Sequence, residues 1–220
     1  MLKLDFDVRG RREPRFLFLG AHCDDIEIGC GGTVLELLAK YPKAAVDWIV
    51  LSSGKARAAE ARRAAKLFLA GARKPRVTIK DFRNSFFPIE AAEIKECFEE
   101  IKRSISPDVV FTHHRDDLHQ DHRIVGELTW NTFRDHLILE YEIPKYDGGL
   151  GSPNFFVPLT RPTADRKIEI LTKTFESQRS KAWFSADTFN ALLRLRGIEC
   201  NAPHGMAEAY YARKIALKTE

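Results

Sequence analysis

Two short stretches hold most of the residues able to do chemistry. The first runs Ala21-His22-Cys23-Asp24-Asp25-Ile26-Glu27 and continues into Ile28-Gly29-Cys30-Gly31-Gly32-Thr33. The second runs Thr112-His113-His114-Arg115-Asp116-Asp117-Leu118-His119-Gln120-Asp121-His122-Arg123. Five of the seven histidines fall within them. Neutral imidazole and carboxylate together suit zinc and other borderline cations. Crowding acids and histidines into two turns is costly unless a cation balances them. A catalytic zinc keeps three protein ligands and one open position for water. His119 and His122 are three apart, so one helical turn places them on one face. The plain alternative is a pair of solvated loops in which Asp24 and Asp25 cap a helix. It accounts for one stretch and is strained by two.

The elements that must present these stretches are legible from periodicity. Arg15 to Gly20 (RFLFLG) is a short apolar run ending in a polar turn, the pattern of a buried strand. Thr33 to Tyr41 sets Val34, Leu37, Leu38 and Tyr41 at helical spacing, with Gly31 and Gly32 placed for a tight strand-to-helix turn. Val46 to Ser52 reads as a strand, Arg57 to Leu69 as a helix and Arg76 to Phe82 as a strand. Ala91 to Ile105 puts Ile94, Cys97, Phe98, Ile101 and Ile105 on one helical face; Pro107 ends it, and Asp108 to Thr112 is the next strand. Arg123 to Leu137 is again helical. This alternation predicts an α/β fold: a Rossmann-like, mostly parallel sheet with helices on both faces, in one domain spanning 1–220. Ligands in such sheets bind beyond the carboxyl ends of the strands. Chemistry is therefore expected in the turns after Gly20, Ser52 and Thr112, and both histidine stretches are there. From Tyr141 to Pro162 the chain becomes rich in Pro and Gly with aromatics between, which reads as an irregular loop or short strand pair that shapes substrate choice. Asp165 to Trp183 and Ala186 to Arg196 read as helices.

The motifs carry a resemblance. AHCDDIEIGCGGT resembles the AH(P)DD motif of the LmbE-like, or PIG-L, zinc-dependent de-N-acetylases, and HHRDDLHQDHR is similar to that family's second motif, built around H-x-D-H. The likeness runs from Phe16 to Ile124, with weaker echoes at Arg57-Ala-Ala-Glu60 and Met206-Ala-Glu-Ala-Tyr210. It implies that His22, Asp25 and His122 bind Zn2+ and that Asp24 is general base on the metal-bound water. It implies that His119 stabilises the oxyanion or protonates the leaving amine, and that Asp121 bonds His119 and fixes its tautomer. It also implies a substrate-holding role for Arg57 and an N-acetylated amino sugar or its conjugate as substrate; the basic run from Lys55 to Lys80 is what extends this to phosphorylated or nucleotide-linked sugars. Monomers and homo-oligomers both occur in such a family. A cation would acidify water and polarise an amide, a nearby carboxylate would take a proton, and a histidine made cationic by an acidic neighbour would donate one.

The sequence departs from the family pattern at Cys23, where proline is usual, at Ile26, and at Arg115 and Asp116. None is an implied ligand, and Cys23 reads as a half-buried replacement. Asp117 is a candidate for the pocket wall or for a helix cap. Of His113 and His114, one is expected to face the core. His204 is a candidate to enter a neighbouring site. Two other functions stay open: a zinc amidase or esterase on a non-sugar substrate, and a noncatalytic α/β protein holding an anionic ligand.

Composition bounds the rest. The chain has 220 residues, 44% hydrophobic and 30% charged, which is an ordinary globular composition. Lys plus Arg exceeds Asp plus Glu by 35 to 31, too little to argue for nucleic acid. The excess is local: a basic run from Lys55 to Lys80 is followed by an acidic block from Glu90 to Glu100, and the two are expected either to be solvated faces or to oppose one another. None of the four cysteines forms a CxxC pair, the start MLKLDFDVRGRREPR is too charged for a signal peptide, and no apolar run approaches the roughly 18 residues of a membrane span. A cytoplasmic protein with reduced thiols is the expectation.

Overall fold

The structure is a computed structural model that describes residues 3–6, 13–73 and 75–216; Lys74 of the basic run and most of the charged N-terminal stretch lie outside the described residues. Among the described residues, seven strands form one sheet in the order β3-β2-β1-β4-β5-β7-β6. They are β1 (Arg15–Gly20), β2 (Ala45–Val50), β3 (Arg76–Ile79), β4 (Val109–His113), β5 (Leu137–Tyr141), β6 (Phe155–Pro158) and β7 (Ala207–Ala212). β1 to β5 pair in parallel, whereas β7 runs antiparallel to both β5 and β6. Alternation along a strand sends neighbouring side chains to opposite faces. Phe16 and Phe18 of β1 therefore join one core with Trp48 and Phe111, while Leu17 and Leu19 join the other with Ile49 and Val110.

Among the described residues, six helices cover the two faces: α1 (Asp25–Lys40), α2 (Lys55–Phe68), α3 (Ala91–Ser104), α4 (Gln120–Thr132), α5 (Arg161–Thr174) and α6 (Ala186–Glu199). α1, α2, α5 and α6 pack together on the first core, and α3 and α4 on the second. Right-handed crossovers explain the split. The chain steps outward from β1 to β3, then returns past β1 to β4, which carries the next helices to the opposite face. The basic α2 and acidic α3 thus lie on opposite faces of the sheet and do not oppose one another. The reversal also makes the β1–β4 junction a switch point, where a crevice opens beyond the strand ends.

Several elements differ from the periodicity reading. α1 begins at Asp25, so Gly31 and Gly32 lie within it and not in a turn before it. Their use is close packing: a Cβ on Gly29 would overlap the Tyr141 ring, and one on Gly31 would approach Phe68 to 2.8 Å. α4 runs from Gln120 to Thr132, short of the predicted end at Leu137, and Leu137 instead opens β5. The predicted helix from Asp165 to Trp183 is α5 followed by a 3-10 turn at Glu176–Gln178. Ala207–Ala212 adds β7, which Glu208 fastens to α1 by accepting the Gly32 and Thr33 N–H groups at 2.8 and 2.7 Å. No helix among the described residues is long and apolar enough to cross a membrane. All four cysteines are free and buried.

Candidate metal centre and pocket

Three donor residues meet where β1 and β4 end. His22 sits in the turn after β1, Asp25 opens α1, and His122 lies in the first turn of α4. Their ligand atoms lie within 4.8 Å of one another. His22 Nδ1 is 3.2 Å from His122 Nε2 and 3.4 Å from Asp25 Oδ2, and His122 Nε2 is 3.5 Å from Asp25 Oδ1. Two nitrogens bound at ~2.0–2.1 Å to a tetrahedral cation would stand about 3.3 Å apart, so this donor set fits a zinc-class ion.

The remaining nitrogen of each imidazole is anchored. His22 Nε2 is 3.0 Å from Asp121 Oδ2, and His122 Nδ1 is 3.1 Å from Asp117 Oδ2. Such carboxylate–imidazole pairs orient metal-binding histidines. Both carboxylates are themselves fixed. Asp121 accepts the Ser85 and Phe87 N–H groups at 2.6 and 3.2 Å, and Asp117 accepts Lys145 Nζ at 2.8 Å and the His119 N–H at 2.8 Å. Asp117, expected at the pocket wall, is therefore buried behind His122. Ser85 adopts φ 67°, a left-handed conformation unusual for a non-glycine residue.

Asp121 does not make the expected carboxylate contact with His119. Its carboxylate faces His22, and its backbone N–H donates to His119 Nδ1 at 3.2 Å, so that His119 caps α4. The cap still selects a tautomer, because an accepting Nδ1 leaves the proton on Nε2. Burial, then the neighbouring His22 charge, holds the His119 pKa below the ordinary histidine value.

Charge at the centre is divided unevenly. Burial would lower the His22 pKa, but Asp25 and Asp121 outweigh it and lift the group to about 9. Burial and the nearby His113 push His122 down to about 3, so its ring is neutral. Burial opposes ionisation of Asp25 as well, yet three surrounding histidines hold it well below the usual carboxylate range. Asp24 is pushed upward by burial and by Asp25 despite Arg57, whose Nη2 lies 2.7 Å from Asp24 Oδ1. Neither Asp24 nor Asp25 caps α1: Asp24 makes no side-chain cap bond, and Asp25 Oδ2 accepts the His22 N–H at 2.6 Å.

These groups border a pocket of about 280 Å³ lined by His22, Asp24, Asp25, Arg57, Asn84, Ser85, His119, His122, Ile143, Lys145, Tyr146, Asp147, Lys181 and Trp183. The structure thus brings His22, Asp24, Asp25, Arg57, His119 and His122 together at the pocket, with Asp117 and Asp121 behind. Cys23 is buried, its thiol donates to the Ser52 carbonyl at 3.5 Å, and burial raises it to about 11. His204 is exposed and does not line the pocket.

Sequence reasoning left other members unassigned. His113 is buried with its ring stacked 3.9 Å from His122 and its Nε2 3.0 Å from Asp25 Oδ2, whereas His114 turns to Glu140 and Tyr211. The wall from Lys145 to Asp147 falls in the segment already singled out as punctuated. Lys181 and Trp183 had no signal, because they were read as the end of a helix.

A family profile for the PIG-L: GlcNAc-PI de-N-acetylases matches residues 17–133. No curated protein matches the chain by sequence. Solved structures with a similar fold include N,N'-diacetylchitobiose deacetylase from Pyrococcus horikoshii, at 17% identity and TM-score 0.67, covering 91% of this chain and 84% of that one. The A40926 pseudoaglycone deacetylase is similar at 19% identity and TM-score 0.65, over 93% of this chain and 99% of its own. GalB, the 4-carboxy-2-hydroxymuconate hydratase of Pseudomonas putida KT2440, is similar at 15% identity and TM-score 0.72, over 94% and 99%. A shared fold does not fix the reaction, and here it includes a hydratase.

Proposed function

The chain belongs to the PIG-L family of GlcNAc-PI de-N-acetylases, and from that premise we propose that it is a zinc-dependent hydrolase removing an N-acetyl group from an amino sugar or its conjugate. One observation carries the reading: His22, Asp25 and His122 converge in the same pocket as Asp24 and His119. A zinc ion held by those three residues would supply Lewis acidity, polarising an amide carbonyl and making water easier to deprotonate. Asp24 is the proposed general base. Its raised pKa narrows the gap to an operating pH near neutral, which favours proton transfer. His119, neutral and protonated on Nε2, donates a hydrogen bond to the oxygen on which negative charge develops. Asp117 and Asp121 keep the two ligand imidazoles in register, and Arg57 holds the Asp24 carboxylate in place at the pocket wall.

Relatives point the same way, since an N,N'-diacetylchitobiose deacetylase and an A40926 pseudoaglycone deacetylase share this fold. The test is metal analysis and acetate release on one sample. About one zinc per chain and acetate from N-acetylated hexosamine glycosides are expected. Acetate release from none of them, by protein shown to hold zinc, would reject the reading. Simple amides, esters and an unsaturated dicarboxylate in the same panel separate it from an amidase, an esterase and the hydratase chemistry of the GalB fold.

A further inference from the structure

The pocket has a wall that the metal centre does not use. Tyr146 and Asp147 follow β5, and Lys181 and Trp183 sit in the turn between the 3-10 helix and α6. Both segments lie outside residues 17–133, where the family match falls. They are fastened to each other, because the Ala182 N–H donates to the Tyr146 hydroxyl at 3.1 Å. Trp183 is held edge-on against buried Phe184, with centroids 5.6 Å apart, and Phe184 packs on Phe175 and Phe189. Its half-buried indole thus has a fixed orientation at the pocket. Lys181 Nζ lies 5.6 Å from the centre of that indole.

Charge matching decides what such a wall accepts. Arg57 is engaged by Asp24 at 2.7 Å and Lys145 by Asp117 at 2.8 Å. The pocket's remaining formal charges outside the metal centre are Lys181 and Asp147, one of each sign, and neither makes an ion pair among the described residues. A phosphate would need surplus positive charge here. One cation and one anion beside an aromatic face suit a ring with an apolar C–H face and hydroxyls that both donate and accept. The pocket, about 280 Å³, has room for one sugar ring with its acetamide. We propose that Trp183, Asp147 and Lys181 form a subsite for one uncharged pyranose, so that the sugar carrying the acetamide bears no phosphate of its own within the pocket. The assignment rests on the deacetylase reading for its substrate and extends it to these residues.

Two measurements separate the subsite from that reading. Zinc-loaded His119→Ala protein, which keeps the Asp24–Arg57 pair, is titrated calorimetrically with methyl N-acetylglucosaminide and with N-acetylglucosamine 6-phosphate, and acetate release is followed with the unaltered chain. The uncharged glycoside is expected to bind more tightly than the phosphate. Trp183→Ala should raise its Kd and KM about tenfold, the loss of one stacking contact, with kcat nearly unchanged. Trp183→Phe should restore most of that loss, and Asp147→Asn and Lys181→Met should each weaken binding by about threefold to tenfold. The subsite is overturned if Trp183→Ala and Trp183→Phe both leave Kd and KM unchanged. It is equally overturned if the phosphate is preferred and Lys181→Met abolishes that preference, or if neither sugar binds. Binding that depends on Trp183 in a chain that releases no acetate would instead reject the deacetylase reading and keep the subsite.

Discussion

At the scale of single residues, the centre is a set of paired roles in which each functional group has a second group holding it. Asp24 is the proposed base, and Arg57 holds it. Replacing Asp24 with Asn keeps the shape and removes the proton acceptor, so turnover should fall by about 10²–10⁴ while bound zinc is retained. Acetate release and metal analysis on the same preparation check this. Asp117 and Asp121 stand behind His122 and His22 at 3.1 and 3.0 Å. Asp117→Asn or Asp121→Asn should lower zinc affinity about 10–100-fold, measured by competition with a chelating indicator. Zinc affinity unchanged in both variants would show that these carboxylates do not orient the ligands.

At the scale of elements, the fit of helices and strands places these residues. α1 reaches the sheet closely enough to present Asp25 because Gly29 lets the Tyr141 ring press against its backbone. Gly29→Ala should therefore cost about 1–3 kcal/mol, seen as a lowered urea midpoint, since overpacking at a tight contact outweighs the gain in helix propensity. β5 is secured by Glu140, whose buried carboxylate takes His114 Nδ1 at 2.6 Å, Arg115 Nε at 2.9 Å and the Trp130 indole N–H. Burial alone would raise the Glu140 pKa, but these donors outweigh it and hold the group below the ordinary glutamate value. Its contribution is therefore complete above the unfolded value and is lost as pH falls through the lower folded one. Glu140→Gln should destabilise the fold by about 1.5–3 kcal/mol at pH 7. The gap to the unaltered chain should shrink below pH 4.5, tracked by urea melts across an acid series. A gap constant with pH would show that the ionised form does not stabilise the sheet.

At the scale of the whole molecule, the centre is a cross-link. Its donors come from the turn after β1 and from the starts of α1 and α4, which cover opposite faces of the sheet. A cation held there would tie the two layers together in the folded state alone. Removing it with a chelator should lower the thermal midpoint, and free zinc at a thousand times its Kd should restore about 4 kcal/mol. The two walls at the pocket mouth lie farther along the chain, near β5 and α6. Substitutions there should change KM more than that midpoint.

Residue type and spacing marked the two histidine-rich turns and the strand-and-helix alternation that places them at strand ends, and the resemblance of the motifs implied His22, Asp25 and His122 as the donors. These are local properties: residue type, spacing and periodicity belong to short windows of chain. Only the tertiary structure decided who faces whom. Asp121 was legible as a partner for an imidazole, but its carboxylate turned to His22 because the Ser85 and Phe87 N–H groups, 36 and 34 residues away, hold it there. The helix expected to reach Leu137 stops at Thr132, and pairing with β4 and β7 makes Leu137–Tyr141 a strand. Lys181 and Trp183 gave no local sign of a site, since meeting Tyr146 depends on a contact across 36 residues of chain. Side-chain partners separated so far are chosen by packing of the whole sheet, which no short window of sequence encodes.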